Sequence, residues 1–189
     1  MEALEKQKCP LCFENALTLR EEEREIPFFG KVFLFGMSCS ACKYHMSDVE
    51  SEKEHDPTKQ TFTLEKEHDL SVRVIKSSHA TVKIPQLKMT VSPGPASIGY
   101  ISNIEGVLAR FEKVVEDQRD NEEDPDVKKK AKVLLKKMWK AKCGDFPLKI
   151  IIEDPTGNSA IISEKTVVEK IKGKKEDDVE LPKELQEEK

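Results

Sequence analysis

The chain has 189 residues, of which 36% are charged, and its 36 acids against 32 lysines and arginines leave a formal net charge of −4. That balance argues against bulk electrostatic attraction to nucleic acid, and no run of about 18 apolar residues offers a membrane span. The opening MEALEKQKCP lacks the apolar stretch of a signal peptide, so a cytoplasmic location, with thiols kept reduced, is expected.

Four of the five cysteines fall into two Cys-x-x-Cys pairs, CPLC (Cys9, Cys12) and CSAC (Cys39, Cys42), 26 residues apart. One such pair alone could be a redox dithiol. Two supply four thiolates, the set that zinc prefers in a closed tetrahedral site. The intervening LTLREEEREIPFFGKVFLFGMS alternates at Leu17 and Leu19, breaks at Pro27, turns at Gly30 and resumes as an apolar strand from Val32 to Met37. This predicts a hairpin hung between two metal knuckles. So short a unit cannot build a sufficient core, and metal would supply the missing stability. Residues 1–50 are therefore expected to form a zinc ribbon. Its ligands would be Cys9, Cys12, Cys39 and Cys42, around one structural Zn2+. A shell filled by four cysteines leaves no open position for zinc catalysis. His45, just past the second knuckle, is then a bystander.

Residues 43–60 are charged, contain Pro57 and show little apolar periodicity, and they read as a connection. From about 61 to 91 strand signals return in TFTL, SVRVIKSS, TVKIP and LKMTV. SPGPASIG, Ser92 to Gly99, breaks the run. Ile104, Val107, Leu108, Phe111, Val114 and Val115 then recur at helical spacing, with Ser102 and Glu105 fitting a capping box. Asp124 followed by Pro125 starts a second helix, with a stripe of Val127, Ala131, Leu134, Leu135 and Met138 and a stop at Gly144. The two make a helical hairpin at about 102–143, inserted in a β domain that spans 51–170. LKIIIEDPTGNSAIIS returns to strands around a turn formed by Asp154, Gly157 and Asn158. Residues 171–189 read as a charged flexible tail.

Few residues outside the cysteines suggest chemistry. His55, His68 and His79 are dispersed. Ser77 and Ser78 precede His79, but adjacency in sequence is no triad. DPTGNS lacks the glycine–lysine pattern of a phosphate loop. No catalytic residue is expected. The eight lysines from Lys128 to Lys142 would attract phosphate, yet they also serve as the solvated face of an amphipathic helix. Trp139 reads as a packing residue and Cys143 as a buried or incidental thiol. Arg73 and Lys76 lie on opposite faces of one strand and could meet an acidic partner.

Taken together, CPLC, IPFFGKVFLFGMSCSAC, DLSVRVIKSSHATVKIPQL, GYISNIEGVL and EDPTGNS resemble, in order, the Zpr-type zinc-finger proteins in their single-module archaeal form. The resemblance covers roughly residues 9 to 163. It implies an α+β, mainly β fold: a four-cysteine zinc ribbon followed by a small double-stranded β-helix-like domain carrying the inserted helical hairpin. Eukaryotic members carry two such modules and bind translation elongation factor one-alpha, assisting its folding. The resemblance therefore implies a non-enzymatic zinc protein with that factor as partner. It makes Glu105, Asp154, Gly157 and Asn158, beside Arg73 and Lys76, candidate partner contacts. The competing expectation is a zinc ribbon on ribosomal RNA. A homodimer that imitates the tandem form is also open, and no membrane partner is expected.

Overall fold

The computed structural model describes residues 2–26, 30–52 and 55–171. Pro27 and the charged segment after residue 171 lie outside the described residues.

The first four strands form one antiparallel sheet in chain order: β1 (Glu2–Gln7), β2 (Leu17–Ile26), β3 (Gly30–Cys39) and β4 (His45–Ser51). β2 and β3 are the expected hairpin, paired without a break from Leu17↔Cys39 to Ile26↔Gly30. β1 and β4 were not expected, since 43–60 reads as a connection. Both are edge strands, and β1 leaves every side chain exposed. A strand that buries neither face carries no apolar alternation to betray it.

The chain then builds β5 (Thr58–Leu64), β6 (Arg73–Lys76), β7 (Thr81–Ile84), β8 (Met89–Val91) and β9 (Tyr100–Asn103). Two helices follow, α1 (Ile104–Asn121) and α2 (Pro125–Lys142). β10 (Leu148–Asp154), β11 (Ala160–Ile162) and β12 (Val167–Lys170) complete it. The strands assemble into a five-stranded sheet, β12-β5-β10-β7-β8, and a three-stranded sheet, β11-β6-β9, antiparallel throughout. The fold is thus mainly β, with a helical hairpin inserted between an edge strand of one sheet and the central strand of the other.

Alternation decides which side chains fill this domain. Phe62 and Leu64 on β5, Val82 and Ile84 on β7, and Leu148, Ile150 and Ile152 on β10 all point inward. α1 covers them with Ile104, Val107, Leu108, Phe111 and Val115. Val114, expected in the stripe, is 56% exposed, while its neighbour Val115 is buried. α2 buries Ala131, Met138 and Ala141, and Lys142 pairs with Glu112 at 2.6 Å to join the helices. β6 is buried on both faces. Val74 enters the main core, while Ile75 meets Ile26 and Val32 of the first sheet.

Two local expectations are corrected. The α1 cap is Asn103, whose Oδ1 accepts from Gly106 N at 2.8 Å. Ser102 is still in β9, paired with Val74, so it cannot serve as the cap of a box. The expected turn after Asp154 forms, with Gly157 N donating to Asp154 O at 3.3 Å, and it carries the chain from β10 in one sheet to β11 in the other. Trp139, expected to pack, is 60% exposed, while Cys143 is an exposed thiol, in keeping with the incidental reading. The expected α2 start holds, with Asp124 Oδ1 accepting from Asp126 N at 2.8 Å and Pro125 in the first turn.

Candidate metal centre

Each Cys-x-x-Cys segment folds into the same knuckle. Cys9 N donates to Glu14 O at 2.9 Å and Phe13 N to Cys9 O at 3.0 Å. In the second knuckle Cys39 N donates to Tyr44 O at 2.8 Å and Lys43 N to Cys39 O at 3.1 Å. Phe13 and Lys43, each four residues past the first cysteine, both take φ +63°. Non-glycine residues reach this left-handed region at a cost that surrounding structure must offset. Only the matched offset from the two motifs hints at it in sequence.

The β2–β3 pairing brings the knuckles together, with Leu17 opposite Cys39 and Ser40 N donating to Ala16 O at 3.0 Å. The four sulfurs lie within 4.8 Å of one another. Cys9 to Cys42 and Cys12 to Cys39 are each 3.7 Å apart. A disulfide would need about 2.05 Å. Four thiolates about 2.3 Å from a central zinc, at tetrahedral angles, stand about 3.8 Å apart. The spacing therefore fits a metal and not an oxidised pair.

Electrostatics points the same way. Burial pushes the Cys9 thiol up, but the backbone amides of Cys12 and Leu11 outweigh it and bring the thiol down to about 7. The Glu14 backbone lowers the Cys12 thiol, yet burial and the three neighbouring sulfurs win and push it up to about 12. Sulfurs this close cannot all be thiolates without a cation among them. The set is positioned to bind one metal ion, and a single structural Zn2+ fits it. Zinc bound there would cross-link two knuckles, with no ligand position left for substrate. His45 is on β4 opposite Ser38, outside the cluster.

The remaining candidates separate by burial. Asp154 is the acceptor of a buried network: Oδ2 takes Ser77 Oγ at 2.7 Å and Ser159 Oγ at 2.5 Å, and Oδ1 takes Thr156 N and Oγ1 at 2.8 Å each. Ser159 Oγ also accepts from Ser77 N at 2.9 Å. Gly157, at φ +67°, sits where a Cβ would meet Asp56 O. Lys76 is buried, with Nζ donating to Ser77 O at 2.9 Å and lying 5.7 Å from the Tyr100 ring centre. Burial lowers its pKa against the opposing pull of Asp154. Asn158 is half-buried, whereas Arg73 and Glu105 are exposed. Sequence reasoning missed the Ser77–Asp154–Ser159 network, whose members lie up to 82 residues apart and carry no local signal.

Ser78 Oγ meets His79 Nδ1 at 3.0 Å, but among the described residues no carboxylate holds the imidazole, so the pair lacks the third group of a relay. Among the described residues no helix is long and apolar enough to cross a membrane.

The first sheet and the β domain meet where Gly99 N donates to Asp48 Oδ1 at 2.6 Å. A Cβ at 99 would stand 2.5 Å from Val49 O, so only glycine allows this approach. Beside it, Arg110 stacks 4.2 Å from the Tyr100 ring centre.

Comparison with known proteins agrees with both parts. A model of the ZPR1 zinc-finger domain matches residues 2–57, and one of the ZPR1 jelly-roll domain matches residues 68–183. A ZPR1-like protein of Methanocaldococcus jannaschii is 36% identical over 165 residues, which is 87% of this chain and 83% of that protein. A ZPR1-like protein of Pyrococcus horikoshii is 36% identical over 167 residues, covering 86% and 75%. The zinc finger chaperone zpr1 of Schizosaccharomyces pombe is 30% identical over 143 residues, 72% of this chain but 30% of that protein.

Proposed function

This chain belongs to the ZPR1 zinc-finger family, and from that premise we propose that it is a non-enzymatic cytoplasmic protein that binds translation elongation factor one-alpha and assists its folding. The observation that carries the reading is the match, over 72% of this chain, to a relative named as a zinc finger chaperone. Cys9, Cys12, Cys39 and Cys42 hold the zinc in this reading, and zinc holds a surface rather than a reaction centre. Binding an incompletely folded client more tightly than other states of it would raise the population of that state, shielding it until release lets it fold. Of the six candidate contacts, Arg73 and Glu105 have side chains free to meet a partner, whereas Lys76 and Asp154 are spent inside the chain.

The test is capture from the host's cytosol on the zinc-loaded chain, beside a variant with all four cysteines changed to serine. Enrichment of the elongation factor on the first and not the second is expected. Equal recovery on both removes the reading.

A second reading has one specific support: Trp139 is 60% exposed on the helix that carries the lysine series. An exposed indole among cations can stack a base while the lysines meet phosphates. This reading requires steeply salt-dependent RNA retention that falls in K129E/K136E/K140E and in W139A. Unchanged retention in both variants ends it.

A further inference from the structure

The first sheet has two faces, and the β domain covers one. On β3, Val32 and Leu34 turn toward Ile26, Val49 and Ile75, so Phe33, Phe35 and Met37 turn the other way. The register then lays out the uncovered face. Leu19 and Met46 flank Met37, and Leu4 lies beyond Leu19. Glu21 and Asp48 flank Phe35, and Glu23 and Glu50 flank Phe33. The result is an apolar line along β3 between two columns of acids.

Phe33 and Phe35 join none of the apolar clusters formed among the described residues, and Leu4 is 62% exposed. Two shallow clefts of about 250 and 260 Å³ run along either side of a shared wall made by Phe35 and Met37. One reaches Met46 and Glu50, the other Leu4 and Glu21. The acids are only partly spent. Glu23 pairs with Lys31 at 2.7 Å, and Asp48 accepts from the backbone of Val49 and Gly99. Glu21 and Glu50 are exposed and make no ion pair among the described residues.

We propose that this face of the zinc ribbon docks a protein segment that presents apolar side chains flanked by lysines or arginines. The apolar line gains free energy by leaving water. The acid columns select the flanks, because an acidic segment would place like charges together and a neutral one would desolvate carboxylates without compensation. Phosphate backbones are repelled for the same reason. Met37 and Met46 are unbranched and adapt to differently shaped anchors. Such tolerance suits a protein that meets a client before the client has settled. β3 ends in Cys39, so metal holds one end of the docking strand in place. The surface stands on this chain's own geometry; only the identity of the client rests on the folding-assistant reading.

The experiment probes the zinc-loaded full chain against two arrays of short peptides. One tiles elongation factor one-alpha; the other is random in sequence and balanced in composition. Peptides retained from the random array should combine apolar residues with Lys or Arg. E21K/E50K, at two exposed positions, should lose about tenfold or more in affinity, which is about 1.4 kcal/mol. E116K/E123K makes the same change in net charge on the helical hairpin and should bind like the parent. F35S should also lose binding, judged only if its zinc content is unchanged. Retained peptides that are neutral or acidic, or E21K/E50K binding like the parent, overturn the proposal. A random array that behaves as expected beside a blank factor array keeps the surface and discards the client. If the chain instead forms a dimer that E21K/E50K abolishes, the occupant is a second copy, and the proposed partner is wrong.

Discussion

Around the four sulfurs the fully buried residues are Cys9, Leu17 and Cys39, two of them ligands, whereas the β domain closes over nineteen buried residues from both sheets and both helices. The ribbon pairs long strands and still makes almost no core, since a single sheet with one uncovered face has little to bury. The β domain uses shorter strands, but its sheets and helices cover one another. Hydrogen-bonded strands alone do not make a stable unit; area removed from water does, and where area is missing a metal must replace it.

Removing the metal should give the largest effect. Structural zinc in small domains contributes about 10–16 kcal/mol at neutral pH. A chelator, or serine at Cys39 and Cys42, should therefore abolish hydrogen-exchange protection across β2 to β4 while β5 and β10 keep theirs. Loss of both together would show that the two regions are one cooperative unit and break the contrast.

Ile150→Ala should do the converse. It empties a fully buried site on the central strand of the β domain. A loss of about 2–5 kcal/mol is expected in denaturant unfolding, with zinc affinity unaltered.

Asp154→Ala should cost about 1–3 kcal/mol for each donor it orphans among Ser77, Thr156 and Ser159, and exchange should rise first between β10 and β11. A cost near zero would mean that water replaces the carboxylate.

Acid separates the regions without mutation. Protons compete with metal for thiolates, so zinc leaves early as pH falls. Asp69 in the β domain behaves differently. Burial works against its charge, but Lys165 and the backbone amides of Glu65 and Lys66 outweigh that and hold it below its ordinary value of 3.8. Its contribution is full above that value and disappears only as pH drops through the lower folded one. Released zinc should thus be detected at a higher pH than loss of β-domain circular dichroism. The smallest effect is Asn103→Ala, about 1 kcal/mol from the lost cap of α1, read in thermal unfolding of the β domain.

The ribbon's hairpin, the four sulfurs, both helices and the inward strands of the β domain were legible in the sequence, because each leaves a local period or spacing. Edge strands β1 and β4 were not, since exposed strands need no apolar alternation. Nor was the α1 cap, where Ser102 and Asn103 compete and only the length of β9 decides. Val114 and Trp139 were misjudged together: a helix shows in sequence that it has an apolar stripe, but its partner sets how wide the covered part is.

By itself, the sequence determined that two knuckles would meet at one metal and that a helical hairpin would interrupt a β domain. Short-range spacing and periodicity carry that information. Only the tertiary structure decided that DPTGNS would cross between sheets around a buried carboxylate, that Gly99 would admit the β4 edge, and that Phe33 and Phe35 would stay outside every apolar cluster among the described residues. Those outcomes depend on which surfaces come together, and no local run of residues records what lies across from it.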